Sequence, residues 1–497
     1  MKAQERLLIV SNRLPVTLST EEGRLAGRPA SGGLVNALSP ALKNKGGVWA
    51  GWPGTLEDTP PAALGGILRR VSAESGYRLL PVNLTSEDLD SFYSGFSNSV
   101  LWPLFHDLQG RCDFNPSFWD GYMAANEKFA KVLLRHMKEG DYVWVNDYHL
   151  IPLGRMLREK RPGLKVSFFL HIPFPSVDIF MKMPQRRHIL SQLTSYSFVG
   201  FQTMRDRRNF IDCLKVFYPE MKVSGRGNVV RVRKKDEAFL VGAVPISIDF
   251  RSFSALASSK SVIARSREIQ KEITADRYLL GVDRLDYSKG IPERLRGFQR
   301  FLQLNPEHRE RVSMMQVVVP SRETVGEYLD LKQEIELLIS RINGEYSTTR
   351  WVPVHWRYGS VSREELAALY RGADMALVTS LKDGMNLVCK EYCACKTDAR
   401  GVLILSEFAG AAIQLAKGAL LVNPYDVDAV ASAIAEGLSM VEQERRRRMR
   451  WLRKTIARND VFRWVDDFLR ASVGKKLAEF PEEEVPALWP GLEGDEA

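Results

Sequence analysis

Cysteine is scarce in this 497-residue chain, and its five copies, Cys112, Cys213, Cys389, Cys393 and Cys395, are odd in number and lack a disulfide framework. That argues against a disulfide-stapled secreted scaffold and for a reducing compartment. Cys389, Cys393 and Cys395 are close enough to suggest zinc, but no second Cys/His pair lies nearby and the segment reads as a helix, so small buried thiols are the better account. Long apolar runs are missing too. Nothing approaches the ~18 residues that a membrane span needs, and the run Leu7-Leu-Ile-Val10 behind a charged start is too short for a signal sequence. The expectation is a cytoplasmic protein with no membrane partner. Charge of one sign is in modest excess: 70 Lys and Arg against 60 Asp and Glu leave +10. The basic residues are spread along the chain without a zinc-finger or RNA-binding signature, which predicts no nucleic-acid partner, and an anionic small substrate explains the excess as well. Such a length is too great for one core and predicts two or three domains.

The chain alternates short apolar strands with helix-length segments. Leu7 to Val10 closes on Ser11-Asn12-Arg13, a buried strand that delivers polar side chains at its C-terminal end, where ligands collect in parallel sheets. Tyr142-Val-Trp-Val-Asn146, closing on Asp147-Tyr-His149, and Lys165 to Leu170, closing on His171-Ile-Pro173, flank a helical segment and form a βαβ unit. Val48 to Trp52 and Phe198 to Phe201 supply further strands. The pattern changes at Pro219–Asp249, with a basic, turn-rich stretch from Gly225 to Lys235, and alternation resumes at Tyr278 with Met315–Pro320, Met375–Val378 and Val402–Leu405. This predicts an α/β protein of two doubly wound halves facing each other across a cleft. The stretch from Asp428 to Arg458 reads as one long helix whose Arg445–Arg448 run is a solvated face.

Two loops carry the most chemistry. Gly281-Val-Asp-Arg284-Leu-Asp-Tyr-Ser-Lys289-Gly290 runs from a strand into a helix entrance and places two cations five residues apart beside backbone N–H groups. That suits a diphosphate, though two solvated surface cations would look the same. Asp383-Gly384-Met385-Asn386-Leu387-Val388 leads into a helix whose first turns contain Glu391. Glu391 could take a pair of ribose hydroxyls or simply complement the helix dipole. Gly32-Gly33 before a helical pattern either lets backbone approach a ligand or makes a plain turn. The aromatic segment from Phe92 to His106, with Tyr93 and Trp102, is core under a loop or a sugar platform. Asp426-Val-Asp428 resembles a metal-binding pair, but it follows Asn423-Pro-Tyr and opens a helix, so Asp426 reads as an N-cap and no metal site is expected.

Ser11-Asn-Arg13, Gly32-Gly33, Asp147-Tyr-His-Leu, His171-Ile-Pro-Phe-Pro, Arg284-Leu-Asp-Tyr-Ser-Lys289-Gly, Asp383-Gly-Met-Asn-Leu-Val and Ser406-Glu-Phe-Ala-Gly410 occur in the order found in trehalose-6-phosphate synthases. From about residue 6 to 470 the chain resembles that family of retaining glycosyltransferases. The resemblance implies a GT-B fold with the active site between two Rossmann-like domains. It implies an acceptor domain over 1–248, joined by a C-terminal helix at about 463–480 that crosses back, a nucleotide-sugar domain over 249–462, and an acidic tail over 481–497 that composition marks as mobile. The implied reaction transfers glucose from UDP-glucose to glucose 6-phosphate, giving α,α-trehalose 6-phosphate and UDP. A glucosylglycerol-phosphate synthase or a non-catalytic regulatory paralogue are the alternatives. Carried over by position, Arg13, Tyr93, Trp102, Asp147 and Arg322 resemble the acceptor pocket. Gly32, Gly33, Arg284, Lys289, Asp383, Gly384, Met385, Asn386, Leu387, Val388 and Glu391 resemble the donor site. His171 resembles the residue at the reacting sugar, and Arg284, Lys289, His171 and Asp147 are the expected catalytic set. No cofactor or metal is implied, because Arg284 and Lys289 neutralise the leaving diphosphate. No Asp-x-Asp-Gly-Thr motif follows the synthase region, so a separate phosphatase is expected in the pathway, and a homo-oligomer is possible.

Overall fold

The structure, a computed structural model, describes residues 6–21, 24–29, 35, 38–39, 42–43, 47–55, 61–234, 237–321 and 326–476. Gly32, Gly33, Arg322 and the tail from 481 onward therefore lie outside the described residues. The chain divides into two compact units, Met1–Ile246 with Val461–Ala497, and Ser247–Asp460.

The first unit is built on β1 (Leu7–Arg13), flanked by β4 (Val48–Trp52) on one side and β6 (Tyr142–Asn146) on the other. β2 (Val16–Glu21) and β3 (Arg24–Pro29) form a separate antiparallel hairpin. The nine-stranded sheet runs β5-β4-β1-β6-β7-β8-β11-β10-β9, where β5 is Arg78–Pro81, β7 is Lys165–Phe169 and β8 is Phe198–Phe201. From β5 to β11 (Glu237–Ala243) every pairing is parallel. The strands read as unbroken apolar runs because both faces are covered: every residue of β4, β6 and β8 is buried. The stretch expected to be turn-rich instead adds two antiparallel strands, β10 (Val229–Lys234) and β9 (Lys222–Ser224), at the edge. Alternate residues of β10, Val230 and Val232, are buried while Arg231 and Arg233 are exposed, so its arginines lie on the solvent face of the strand, between β11 and the edge strand β9.

Helix Val461–Val473 packs its apolar stripe onto this sheet. Phe468 stacks on Trp144 with ring centroids 3.9 Å apart and planes 8° off parallel. Trp464 donates its indole N–H to the Val244 carbonyl at 3.1 Å.

The second unit has a six-stranded, wholly parallel sheet in the order β14-β13-β12-β15-β16-β17. Its strands are β12 (Arg277–Arg284), β13 (Val312–Val319), β14 (Val354–Tyr358), β15 (Met375–Val378), β16 (Val402–Ser406) and β17 (Leu420–Val422). The helical stretch expected as one piece is two helices, Val427–Ser439 and Glu442–Arg458. The chain leaves helical geometry at Met440, with ψ of 125°, and restarts behind Glu442 and Glu444, acidic residues that favour a helix N-terminus.

In each sheet the chain winds outward from one strand, then returns to its other side. The reversal falls between β1 and β6 in the first unit and between β12 and β15 in the second. At such a switch point the loops leaving the strand C-termini diverge and open a crevice.

Candidate active site

The crevice of the first unit is defined by what ends β1, β6 and β7. Arg13 is the exposed last residue of β1, its guanidinium 4.6 Å from the Trp52 ring centre. Ser11 steadies this turn: its hydroxyl donates to the Arg13 carbonyl at 2.7 Å and accepts from the Trp49 indole at 2.7 Å. Asp147 follows β6 with φ of 73°, an uncommon conformation for a residue with a Cβ, held by its N–H bond to the Phe169 carbonyl at 2.8 Å. Its carboxylate accepts from the His171 N–H at 3.2 Å. His171 is half-buried, and its Nε2 lies 3.0 Å from Oδ1 of Asn146. Desolvation lowers the imidazole to about 3, so the ring is neutral near pH 7.

The aromatic segment has a backbone that periodicity did not reveal. Leu89–Leu101 is a π-helix, running into the short helix Trp102–Phe105. It brings Tyr93 parallel to His149, 5.8 Å between centroids and 10° between planes, and Trp102 to within 5.7 Å of Tyr148. Tyr148 and His149 directly follow Asp147, so Tyr93, Trp102, Asp147 and His171 are tied to one loop.

In the second unit Arg284 ends β12 with its side chain half exposed, 4.0 Å from the Asp286 carboxylate. Tyr287–Lys289 makes a single 3-10 turn, and Gly290 then takes a left-handed conformation, φ 61°, before helix Ile291–Leu304. Only glycine fits there, since a Cβ would lie 2.1 Å from the Thr379 carbonyl oxygen. The same contact region is stitched by Thr379 Oγ1 donating to the Gly290 carbonyl and by Leu381 N–H donating to Ser288, at 2.9 and 2.8 Å. Beneath them the fully buried Arg294 donates to Asp283, Gln316 and Thr379. Lys289 pairs with Asp383 at 2.7 Å, with side chains 13% and 12% exposed.

Asp383 accepts further from Ser380 Oγ, from Asn386 Nδ2 and from the Met385 N–H, which shapes the loop through Gly384. Asn386 has φ of 72°, and its side-chain oxygen caps the Cys389 N–H at 3.0 Å. Leu387 and Val388 open helix Val388–Cys395. Within it Glu391 is 8% exposed, accepts from the Tyr370 hydroxyl at 3.0 Å, and is pushed up to about 7 by desolvation. Arg284, Lys289, Asp383 to Val388 and Glu391 thus belong to two interlocked loops at one switch point. Lys390 is buried too, held by Gln414 at 2.8 Å and lowered to about 8 by desolvation. Cys389, Cys393 and Cys395 are buried free thiols, each raised by burial. Asp426 caps the Ala429 N–H, and Asp428 pairs with Arg300 at 2.6 Å. Among the described residues no set of three His, Cys, Asp or Glu side chains could hold a metal ion, and no helix is long and apolar enough to cross a membrane.

The model of glycosyltransferase family 20 matches residues 5–472. The chain belongs to this family. A trehalose-6-phosphate synthase of Mycolicibacterium vanbaalenii is 41% identical to it over 95% of this chain and 96% of its own length. An α,α-trehalose-phosphate synthase [UDP-forming] A of Dictyostelium discoideum is 40% identical over 94% of this chain, and the match spans 62% of that longer protein. The crystal structure of a UDP-forming α,α-trehalose-phosphate synthase from Burkholderia xenovorans, in complex with glucose-6-phosphate, superposes with a TM-score of 0.84 at 34% identity, covering 94% of this chain and 99% of that one. The family likeness makes the fold GT-B, with each unit Rossmann-like. The family motifs pick out the strand-end residues but not their supports: Asn146, Arg294, Tyr370 and Thr379 were not among the expected site residues. Asn146, next to Asp147 at a strand end, had a positional signal; Tyr370, inside an ordinary amphipathic helix, had none.

Proposed function

We propose that this chain is an α,α-trehalose-phosphate synthase (UDP-forming), a retaining glucosyltransferase that moves glucose from UDP-glucose to glucose 6-phosphate. The observation that carries the reading is near end-to-end similarity to synthases of that name, with Arg13 and Asp147 at one switch point and Arg284, Lys289 and Asp383 at the other. The product joins two glucose units and keeps one phosphate. With glucose 6-phosphate as acceptor and UDP as leaving group, the group transferred must be glucosyl.

In this reading the second unit holds the donor. Arg284 and Lys289 face the diphosphate, whose charge grows as the bond to the anomeric carbon breaks. Glu391 takes the ribose hydroxyls, and the N–H groups around Asn386 to Val388 meet the nucleotide-sugar. The first unit takes the acceptor, with Arg13 on its phosphate, Tyr93 and Trp102 beside the sugar and Asp147 on a hydroxyl, while neutral His171 serves the reacting glucose as a hydrogen-bond partner. The bond from the anomeric carbon to the β-phosphate oxygen breaks, a bond to the acceptor's anomeric oxygen forms on the same face, and the acceptor proton passes to the departing phosphate. The two cations supply the charge stabilisation, so the reaction needs no metal.

The test is UDP release from UDP-glucose and glucose 6-phosphate, with the disaccharide phosphate identified by mass and by its α,α linkage, with and without EDTA. Turnover that depends on both substrates and survives EDTA is expected. No UDP release would identify a non-catalytic paralogue, and preference for glycerol 3-phosphate as acceptor would reassign the substrate.

A further inference from the structure

Glu391 is a carboxylate almost removed from water, and among the described residues no cation makes an ion pair with it. Its one side-chain hydrogen-bond partner among the described residues is the phenol of Tyr370, 3.0 Å from Oε2. Tyr370 lies in helix Arg363–Gly372 and is itself fully buried. A phenol so enclosed stays protonated, because desolvation and the neighbouring Glu391 charge raise it well above its usual range. It is therefore a permanent donor with one proton to give.

We propose that Tyr370 is a positioning residue for the donor nucleotide: it holds Oε2 of Glu391 so that Oε1 is presented to the ribose hydroxyls. The inference rests on the reading of Glu391 as the ribose carboxylate. A carboxylate on a flexible stem must lose rotamer freedom before it can accept two adjacent hydroxyls, and Tyr370 imposes that order before the donor arrives. The bond also favours the charged form, since it lowers the Glu391 pKa against the larger upward push of desolvation.

The groups around this carboxylate are few. Helix Arg363–Gly372 brings Arg363, whose charge also lowers Glu391, and whose guanidinium is held by Ser252 at 2.7 Å and over the Phe253 ring at 4.8 Å. Its own helix carries Cys389, Lys390, Tyr392, Cys393 and Cys395. Helix Glu442–Arg458 brings Arg453, which donates to the carbonyls of Cys393 and Ala394. Helix Phe250–Ala257 has only Arg251, which is exposed, and neither β15 nor β16 has an ionisable side chain. Asp283 acts on Tyr370, and Asp383 on Cys389. None of these donates to Glu391 in the place of Tyr370.

The experiment measures kcat/KM for UDP-glucose between pH 6 and 9 for the wild type, Tyr370→Phe, Glu391→Gln and the double variant, with thermal melting as the folding control. Tyr370→Phe keeps the ring and removes the donor. We expect a loss of about tenfold at pH 6.5, chiefly in the donor KM, narrowing to about twofold at pH 9 as Glu391 ionises unaided, with the glucose 6-phosphate KM unchanged. In the Glu391→Gln background the same change should add no pH-dependent loss. A Tyr370→Phe profile parallel to the wild type, or superimposed on it, would overturn the inference, because a purely structural role lowers activity without moving a titration. If Glu391→Gln left the donor KM untouched, the ribose reading itself would fall. Impairment of Glu391→Gln beside an unaffected Tyr370→Phe would sink only the role given to Tyr370.

Discussion

Lys289 stands in two relationships, and removing it should separate them. It is read as a cation for the departing diphosphate, and it is also bound to Asp383 at 2.7 Å with both side chains largely buried. Lys289→Ala therefore removes a charge needed in the transition state and also strands a buried carboxylate. The first effect should lower kcat by roughly 10²–10³-fold, as loss of a preorganised charge donor does. The second is a stability effect. Breaking a fully buried pair costs about 3–5 kcal/mol, and the partial exposure here, together with the bonds Asp383 keeps to Ser380, Asn386 and Met385, reduces that to about 2 kcal/mol. For a unit of this size that is a fall in melting temperature of about 4–8 °C. Asp383→Asn in the same chain removes the stranded charge, so Lys289→Ala/Asp383→Asn should melt within a few degrees of the wild type while UDP release stays at or below the single-variant rate. Melting scans and initial rates at saturating donor decide the matter. If kcat recovered along with stability, the loss in Lys289→Ala would have come from repulsion between an orphaned Asp383 and the diphosphate, and the direct role of Lys289 would be lost.

Arg13→Ala should lower kcat/KM for glucose 6-phosphate by roughly 10–150-fold, the worth of about 1.5–3 kcal/mol for one charge-assisted contact, while leaving the slow rate with unphosphorylated glucose almost unchanged. Equal losses with the two acceptors would remove Arg13 from the phosphate site. His171 contributes a pH effect whose sign follows from its depressed pKa of about 3: the fold favours the neutral ring, so the associated stability is complete above the unfolded value near 6.5 and is lost as pH falls toward 3. Urea unfolding of wild type and His171→Gln should therefore converge by about 2–3 kcal/mol between pH 7 and 4, and a difference independent of pH would mean that the imidazole is not held neutral.

Strand ends and loops that join a strand to a helix were readable because apolar runs, the polar residues that close them and a glycine such as Gly290 at a helix entrance are local signals. Asp426 was identified as a cap from its neighbours alone, and it does cap Ala429. What escaped were features set by partners distant in sequence or by unusual winding. The Lys289–Asp383 pair joins residues far apart in the chain, and the donor from Tyr370 to Glu391 crosses between two helices, so no window of sequence contains either. The alternation of β10 was present in the sequence, but its arginines and lysines masked it as a charged turn. The π-helix at Leu89–Leu101 was hidden because a 3.6-residue test is blind to wider winding.

That wider winding gives the segment a property its composition does not. A π-turn holds one more residue than an α-turn at the same place, so thirteen residues here are a count as well as a string of side chains. Deleting any one of them would shift the register of the segment, and each later residue would swing by roughly one residue's turn, about 100°, around the axis. Tyr93 or Trp102 would then leave its ring partner while keeping its identity. Length in this stretch is thus a determinant of its own, and a homologous enzyme with every aromatic residue retained but one residue fewer should present a different acceptor surface.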